Sequence, residues 1–271
     1  MTLSTETLGE LHEIAARYPQ KRSGLLPMLH LVQSSEGRIT PEGIQACADI
    51  LELSPADVSG VATFYTMYKR KPVGDYHVGV CTNTLCAVMG GDQVFATLKD
   101  HLGVGNDETT DDVEGQRSIT LEHVECNAAC DYAPVVMVNW EFMDNQTPES
   151  AVTLVDDLRA GREVRSTRGP RLCTWREAER VLAGFNDGLA DEGPGAGPAS
   201  LVGLGIARER GWTAPPGDTG SRALDPAPAV PTEPSEQEQA VADSGDSTTK
   251  SAAVEEQADT GTPAAERSDA E

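Results

Sequence analysis

The stretch VGVCTNTLCAVMGG, residues 78–91, carries an apolar run into Cys81, places Cys86 just beyond it, and closes on the pair Gly90-Gly91. Asp75 to Val80 (DYHVGV) reads as a strand that delivers Cys81, and the glycine pair precedes a helix from about residue 91 to 101 that buries Val94, Phe95 and Leu98. The pattern returns at residues 118–125 (SITLEHVE), where Ile119, Leu121 and His123 alternate with Thr120, Glu122 and Val124 and the run ends at Cys126. Pro134 then introduces an apolar strand at residues 135–138, and Thr147-Pro148-Glu149 starts a helix bearing Val152, Val155 and Leu158. Strand, helix, strand, strand, helix describes an open α/β sandwich over residues 73–162. A cysteine pair sits at the end of each of its first two strands, and the acidic segment NDETTDDVEG, residues 106–115, reads as a solvated loop between them.

Upstream the period is that of helices. Thr7 and Glu10 have capping-box spacing, with Leu8, Leu11, Ile14 and Ala15 following. A second helix is expected from about Ser23 to Gly37, a third from Thr40-Pro41, and a fourth from Ser54 through the run SPADVSGVATFYTMY. Together they predict a small helical bundle over residues 5–72, and its apolar stripes are explained by mutual packing. Residues 163–188 form a basic connector and a short helix whose capping box is Thr174 and Glu177. From Asp191 onward there are 16 acidic and 5 basic residues, a single aromatic and 9 of the 17 prolines. Such a chain buries too little apolar surface to offset its ordering entropy, so residues 189–271 are expected to be a disordered acidic tail. Truncation after Gly188 is expected to leave the folded part and its chemistry intact. The fold class is therefore α+β/α/β, with a helical bundle, an α/β domain and a tail.

The net charge of −23 argues against a nucleic-acid partner, which needs clustered Lys and Arg. The N-terminus has no basic and apolar leader, and no stretch is long and apolar enough to cross a bilayer, so the expected location is cytoplasmic, without membrane insertion. In a reducing compartment, closely spaced cysteines are metal ligands or catalytic groups before they are disulfides. Cys81, Cys86, Cys126 and Cys130, C-x4-C then C-x3-C, can bring four thiolates together from two strand ends. Structural zinc favours C-x2-C knuckles, and the plant-type ferredoxin run C-x4-C-x2-C is absent; a [2Fe-2S] cluster, with two thiolates at each iron, accepts the wider spacings. Such a cluster is anionic in both redox states, and Thr82, Asn83, Thr84, Gly90, Asn127, Ala128 and Ala129 are residues whose backbone amides or small side chains suit it. A zinc-stapled interaction module is the rival reading. Cys47 and Cys173 lack partners at ligand spacing, His77 and His123 are expected to be packed strand residues, and no catalytic motif for a substrate stands out.

Residues 18–33 (YPQKRSGLLPMLHLVQ), 61–86 and 124–139 (VECNAACDYAPVVMVN) closely resemble the E-subunit family of bacterial NADH-quinone oxidoreductase, respiratory complex I. The resemblance covers residues 5–160 and implies an N-terminal helical bundle and a thioredoxin-like [2Fe-2S] domain. By motif position it puts the cluster ligands on Cys81, Cys86, Cys126 and Cys130. It further implies an oxidoreductase subunit without its own substrate site, docked on the flavoprotein that binds NADH and FMN and on other peripheral-arm subunits, peripheral on the cytoplasmic side of the membrane. The diaphorase subunits of NAD-linked hydrogenases and formate dehydrogenases share the four cysteines and give an alternative partner. By analogy with thioredoxin-like folds Pro134 is expected to be cis, and the TFY run, residues 63–65, is expected at the flavoprotein contact. The family often has glycine inside the C-x3-C loop, where this chain has Asn127-Ala128-Ala129.

Overall fold

A computed structural model describes residues 3–188, 192–193 and 195–213. Four helices open the chain: α1 (Thr5–Ala16), α2 (Leu25–Glu36), α3 (Pro41–Leu51) and α4 (Pro55–Phe64). The cap of α1 is Ser4, not Thr7: its hydroxyl accepts from the Thr7 N–H at 3.0 Å, while Glu10 is drawn away to an ion pair with Arg180. The α2 helix begins at Leu25, the first residue of its apolar pattern, and not at Ser23, because Lys21–Gly24 wind as a 3-10 turn. Thr40 caps α3, and Ser54 with Asp57 caps α4, as their spacing predicts. The α4 helix stops at Phe64, short of the end of its apolar run. Tyr68 turns back into the bundle, donating its hydroxyl to the Leu26 carbonyl at 3.0 Å, whereas Phe64 is 78% exposed.

The rest is built on a five-stranded sheet. In chain order the elements are β1 (Tyr76–Cys81), α5 (Thr84–Val88), α6 (Gly91–Leu102), β2 (Glu108–Thr109), β3 (Ile119–Val124), β4 (Val136–Val138), β5 (Glu141–Met143) and α7 (Pro148–Arg159). The strand order is β2-β3-β1-β4-β5. The central β1 runs parallel to β3, with Cys81 beside Val124, and antiparallel to β4. Val78, Val80, Ile119, Leu121, Val136 and Val138 meet Leu98 of α6 and Val155 of α7 in one core. The short elements α5, β2 and β5 have no counterpart in the sequence reading, and β2 lies inside the stretch expected to be a solvated loop. The Ala133-Pro134 peptide is cis.

The short helix expected after the connector forms, with Thr174 and Glu177 as its capping box. Helix α8 (Trp175–Leu182) packs along α2, with Trp175 only 1% exposed and Ala183 and Phe185 joining the bundle core. Glu179 is fully buried there and accepts from His30 Nδ1 at 2.6 Å, Gln33 Nε2 at 2.8 Å and Trp140 Nε1 at 2.9 Å. One carboxylate thereby joins α2, α8 and the turn between β4 and β5. His77 also packs as expected, buried against Trp140 and Trp175, while His123 is exposed. Within the stretch expected to be disordered, residues 202–209 form a helix, α9 (Val202–Glu209), with every side chain partly or fully exposed. Of the rest of that expectation, residues 189–191, 194 and 214–271 lie outside the described residues.

A second polar junction gives an acid-stability prediction. Glu122 on β3 meets Lys69, at the end of the bundle, and His77 Nε2 at 2.6 Å. Burial pushes the Glu122 carboxyl up, but hydrogen bonds from His77 and Lys69 and the lysine charge outweigh it and hold the group at about 2, against an ordinary 4.5. The stabilisation is present above 4.5 and is lost as pH falls toward 2. Partial solvent access screens it to roughly 2 kcal/mol. Urea midpoints measured across that range should fall more steeply for the wild type than for Glu122→Gln; parallel curves would show the junction contributes nothing.

Candidate metal centre

The loop after β1 and the loop after β3 leave the sheet side by side, because their strands are parallel neighbours. Cys81, the last residue of β1, is 2% exposed; its N–H is donated to the Val135 carbonyl at 3.0 Å. Cys86 lies in α5 and is equally buried. Cys126 is exposed, and Cys130 opens a 3-10 turn, Cys130–Tyr132. Cys81, Cys86, Ala129 and Val135 share a small apolar cluster flanked by Val124, Ala133 and Phe142. A hydrogen bond between Asn83 Nδ2 and the Glu125 carboxylate, 2.8 Å long, ties the two loops together.

The four thiols fall into two pairs. Cys126 and Cys130 have their Sγ atoms 3.6 Å apart, too far for a disulfide, and all six cysteines of the chain are free. Cys86 interacts with Cys81 and, across the site, with Cys130. Burial pushes the Cys86 thiol up to about 11, against a hydrogen bond from the Val135 backbone that favours the thiolate. The contact with Cys126 raises Cys130 as well. Among the described residues no three His, Cys, Asp or Glu side chains are gathered for one metal ion.

Two details of the site suit an anionic cluster with two thiolates at each iron. The Asn127 Nδ2 group, inside the second cysteine loop, is buried without a hydrogen-bond partner among the described residues. A buried donor of that kind costs free energy unless an acceptor meets it. The first turn of α6 also approaches both cysteines of the first loop: a Cβ at Gly91 would stand 2.5 Å from the Cys81 carbonyl oxygen and 2.8 Å from that of Cys86. Only glycine permits that approach. Of the donors the sequence nominated, the Ala128 N–H points at Cys126 Sγ at 3.3 Å, whereas the Thr82 and Gly90 amides are engaged by the Val124 and Ala87 carbonyls. Ala128 takes φ 55°, a left-handed conformation that a glycine in this loop would adopt at less cost.

Exposed apolar side chains flank Cys86. Leu85, Val88 and Met89 project from α5 and its end, with Val88 79% exposed. Cys47 and Cys173 stand apart from the four, and burial pushes their thiols up to about 12 and about 11. The Asn83–Glu125 tie and the Gly91 approach were not read from the sequence, and only the second left a mark there, in the glycine pair after Cys86.

The sequence model of the thioredoxin-like [2Fe-2S] ferredoxin family matches residues 11–159. The E subunit of NADH-quinone oxidoreductase from Mycobacterium tuberculosis is 60% identical over 205 residues, which is 75% of this chain and 80% of that protein. The E subunit of the same enzyme from Rickettsia bellii is 38% identical over 157 residues, 57% of this chain and 92% of that protein. NADH-quinone oxidoreductase subunit 2 of Thermus thermophilus is 35% identical over 166 residues, 60% of this chain and 90% of that protein.

Proposed function

The chain belongs to the thioredoxin-like [2Fe-2S] ferredoxin family, and from that premise we propose that it is the electron-transferring E subunit of NADH-quinone oxidoreductase, with Cys81, Cys86, Cys126 and Cys130 as the cluster ligands. The observation that carries the ligand assignment is that two neighbouring parallel strands end in loops bearing cysteine pairs, the second of which also holds a buried amide without a hydrogen-bond partner among the described residues. When bound, the cluster supplies a site that takes up and releases one electron at a time. The chain's own part is positional. The central strand fixes Cys81, α5 presents Cys86 from a buried position, and the Asn83–Glu125 bond holds the second loop against the first. The apolar wall of Val135, Ala129 and Phe142 keeps water from one side.

Hydride chemistry falls to the partner flavoprotein that binds NADH and FMN. We place its contact on the apolar side chains Leu85, Val88 and Met89, together with Phe64, which is free of the bundle core. Residues 5–72 and 73–162 then act as one docking body on the cytoplasmic side of the membrane. No described helix is long and apolar enough to cross it.

The test is EPR of the complex with its flavoprotein after reduction by NADH. A rhombic signal integrating to one spin per chain, with two irons, is expected, and Val88→Asp with Phe64→Asp should abolish co-purification while leaving iron content unchanged. Stoichiometric zinc in place of iron would sink the assignment, and co-purification with a hydrogenase or formate dehydrogenase flavoprotein would move the protein to that enzyme.

A further inference from the structure

The two halves of the cysteine site are held unequally. Cys81 and Cys86 are buried and built into β1 and α5, whereas Cys126 is exposed and its loop has no regular structure until the turn at Cys130. That turn is gripped from outside by chain that arrives about seventy residues later. The Ala199 N–H is donated to the Tyr132 hydroxyl at 2.9 Å, and the Ser200 hydroxyl to the Asp131 carboxylate. Gly197 lies so close that a Cβ there would stand 2.2 Å from Tyr132 Oη. Farther back, the Gly195 N–H reaches the Arg168 carbonyl at 3.2 Å. The Arg168 guanidinium pairs with Asp144 through Nε and a terminal nitrogen, both at 3.0 Å, and sits 4.1 Å over the Phe142 ring and 5.6 Å over Tyr132. Phe142 flanks the apolar cluster that holds Cys81 and Cys86.

We propose that residues 195–200 are a strap that positions the Cys126–Cys130 half of the cluster site, with Ser200 and Tyr132 as its positioning residues. The inference rests on the [2Fe-2S] reading above. The residues after Cys130 have few anchors of their own: the Ala129 and Asn145 backbones bond the turn, and the outward sides of Asp131 and Tyr132 are met by the strap. A ligand loop held at one end opens more often, and each opening exposes iron to competing chelators. The expectation that a chain ending at Gly188 keeps its cluster as the full chain does is thereby reversed. The mycobacterial match, longer than the family match, takes in this stretch.

The test uses the full-length chain loaded with its cluster, and follows iron loss to an excess of chelator alongside the EPR spectrum of the reduced protein. Tyr132→Phe with Ser200→Ala removes both strap bonds, and each bond of this kind is worth roughly a factor of five in an opening equilibrium. The double variant, and independently Gly197→Val, should release iron several-fold faster and shift the g-values, with an unchanged circular dichroism spectrum. Ser200→Thr, which keeps the hydroxyl, should match the wild type. Wild-type release rates and g-values in both the double variant and Gly197→Val would overturn the strap. A full-length wild-type chain that binds no iron would instead overturn the cluster reading.

Discussion

Cys81→Ser is expected to leave a folded chain with no cluster: no charge-transfer absorption, no EPR signal after reduction, and iron at background. Cys81 ends the central strand and is buried, its N–H fixed to the Val135 carbonyl. A serine hydroxyl at that place is a poorer ligand than a thiolate, and burial opposes the loss of its proton. The backbone around it does not change, so the sheet is expected to stay folded, with a thermal midpoint close to that of the cluster-free wild type. Cys126→Ser makes the informative contrast, because Cys126 is exposed and water or a nearby oxygen can complete the iron there. It should retain part of the iron with altered g-values. Equal, full retention of iron in both variants would remove Cys81 and Cys126 from the ligand set.

Glu179→Ala is expected to cost about 3 kcal/mol of stability, a large share of the 5–15 kcal/mol typical of a domain. The carboxylate is fully buried and is the shared acceptor for His30, Gln33 and the Trp140 indole. Its removal strands three donors, two on α2 and one on the turn between β4 and β5, and the penalty of an unmet buried donor exceeds the net worth of the bond it made. Glu179→Gln keeps one acceptor oxygen and should lose less. Urea unfolding would decide the matter; a midpoint within error of the wild type in Glu179→Ala would mean that water enters and satisfies the cluster.

Much of this fold is legible in the residues because its long elements have strong signals. Thr40-Pro41 and Ser54-Pro55 set helix starts unambiguously, and the alternation from Ile119 to Val124 reads as a strand whatever surrounds it. The cysteine pairs mark two strand ends, and their spacing limits the chemistry. Illegible features are those that depend on a distant partner. Ser4 wins the α1 cap because Glu10 has a stronger partner in Arg180, far along the chain. The two-residue β2 exists only because β3 offers it a ladder, so no periodicity within residues 106–115 could have shown it. Helix α8 is amphipathic in sequence, yet nothing local says that its buried glutamate has three donors waiting on other elements. The strap is the extreme case: a stretch of glycine, alanine, proline and serine with no large apolar side chain reads as solvent-loving, and its grip on Tyr132 arises from a backbone group that carries no side-chain signature.

Synthesis on the ribosome proceeds from the N-terminus, so the pairing of Glu179 with His30 and Gln33 imposes an order of events. Nearly 150 residues separate the partners, and the bundle must wait with those groups hydrated until α8 has left the exit tunnel. All four cysteines emerge well before that moment. A nascent chain therefore exposes both cysteine loops while the bundle beside them is still unsealed by α8, and residues 195–200 reach the turn at Cys130 later still.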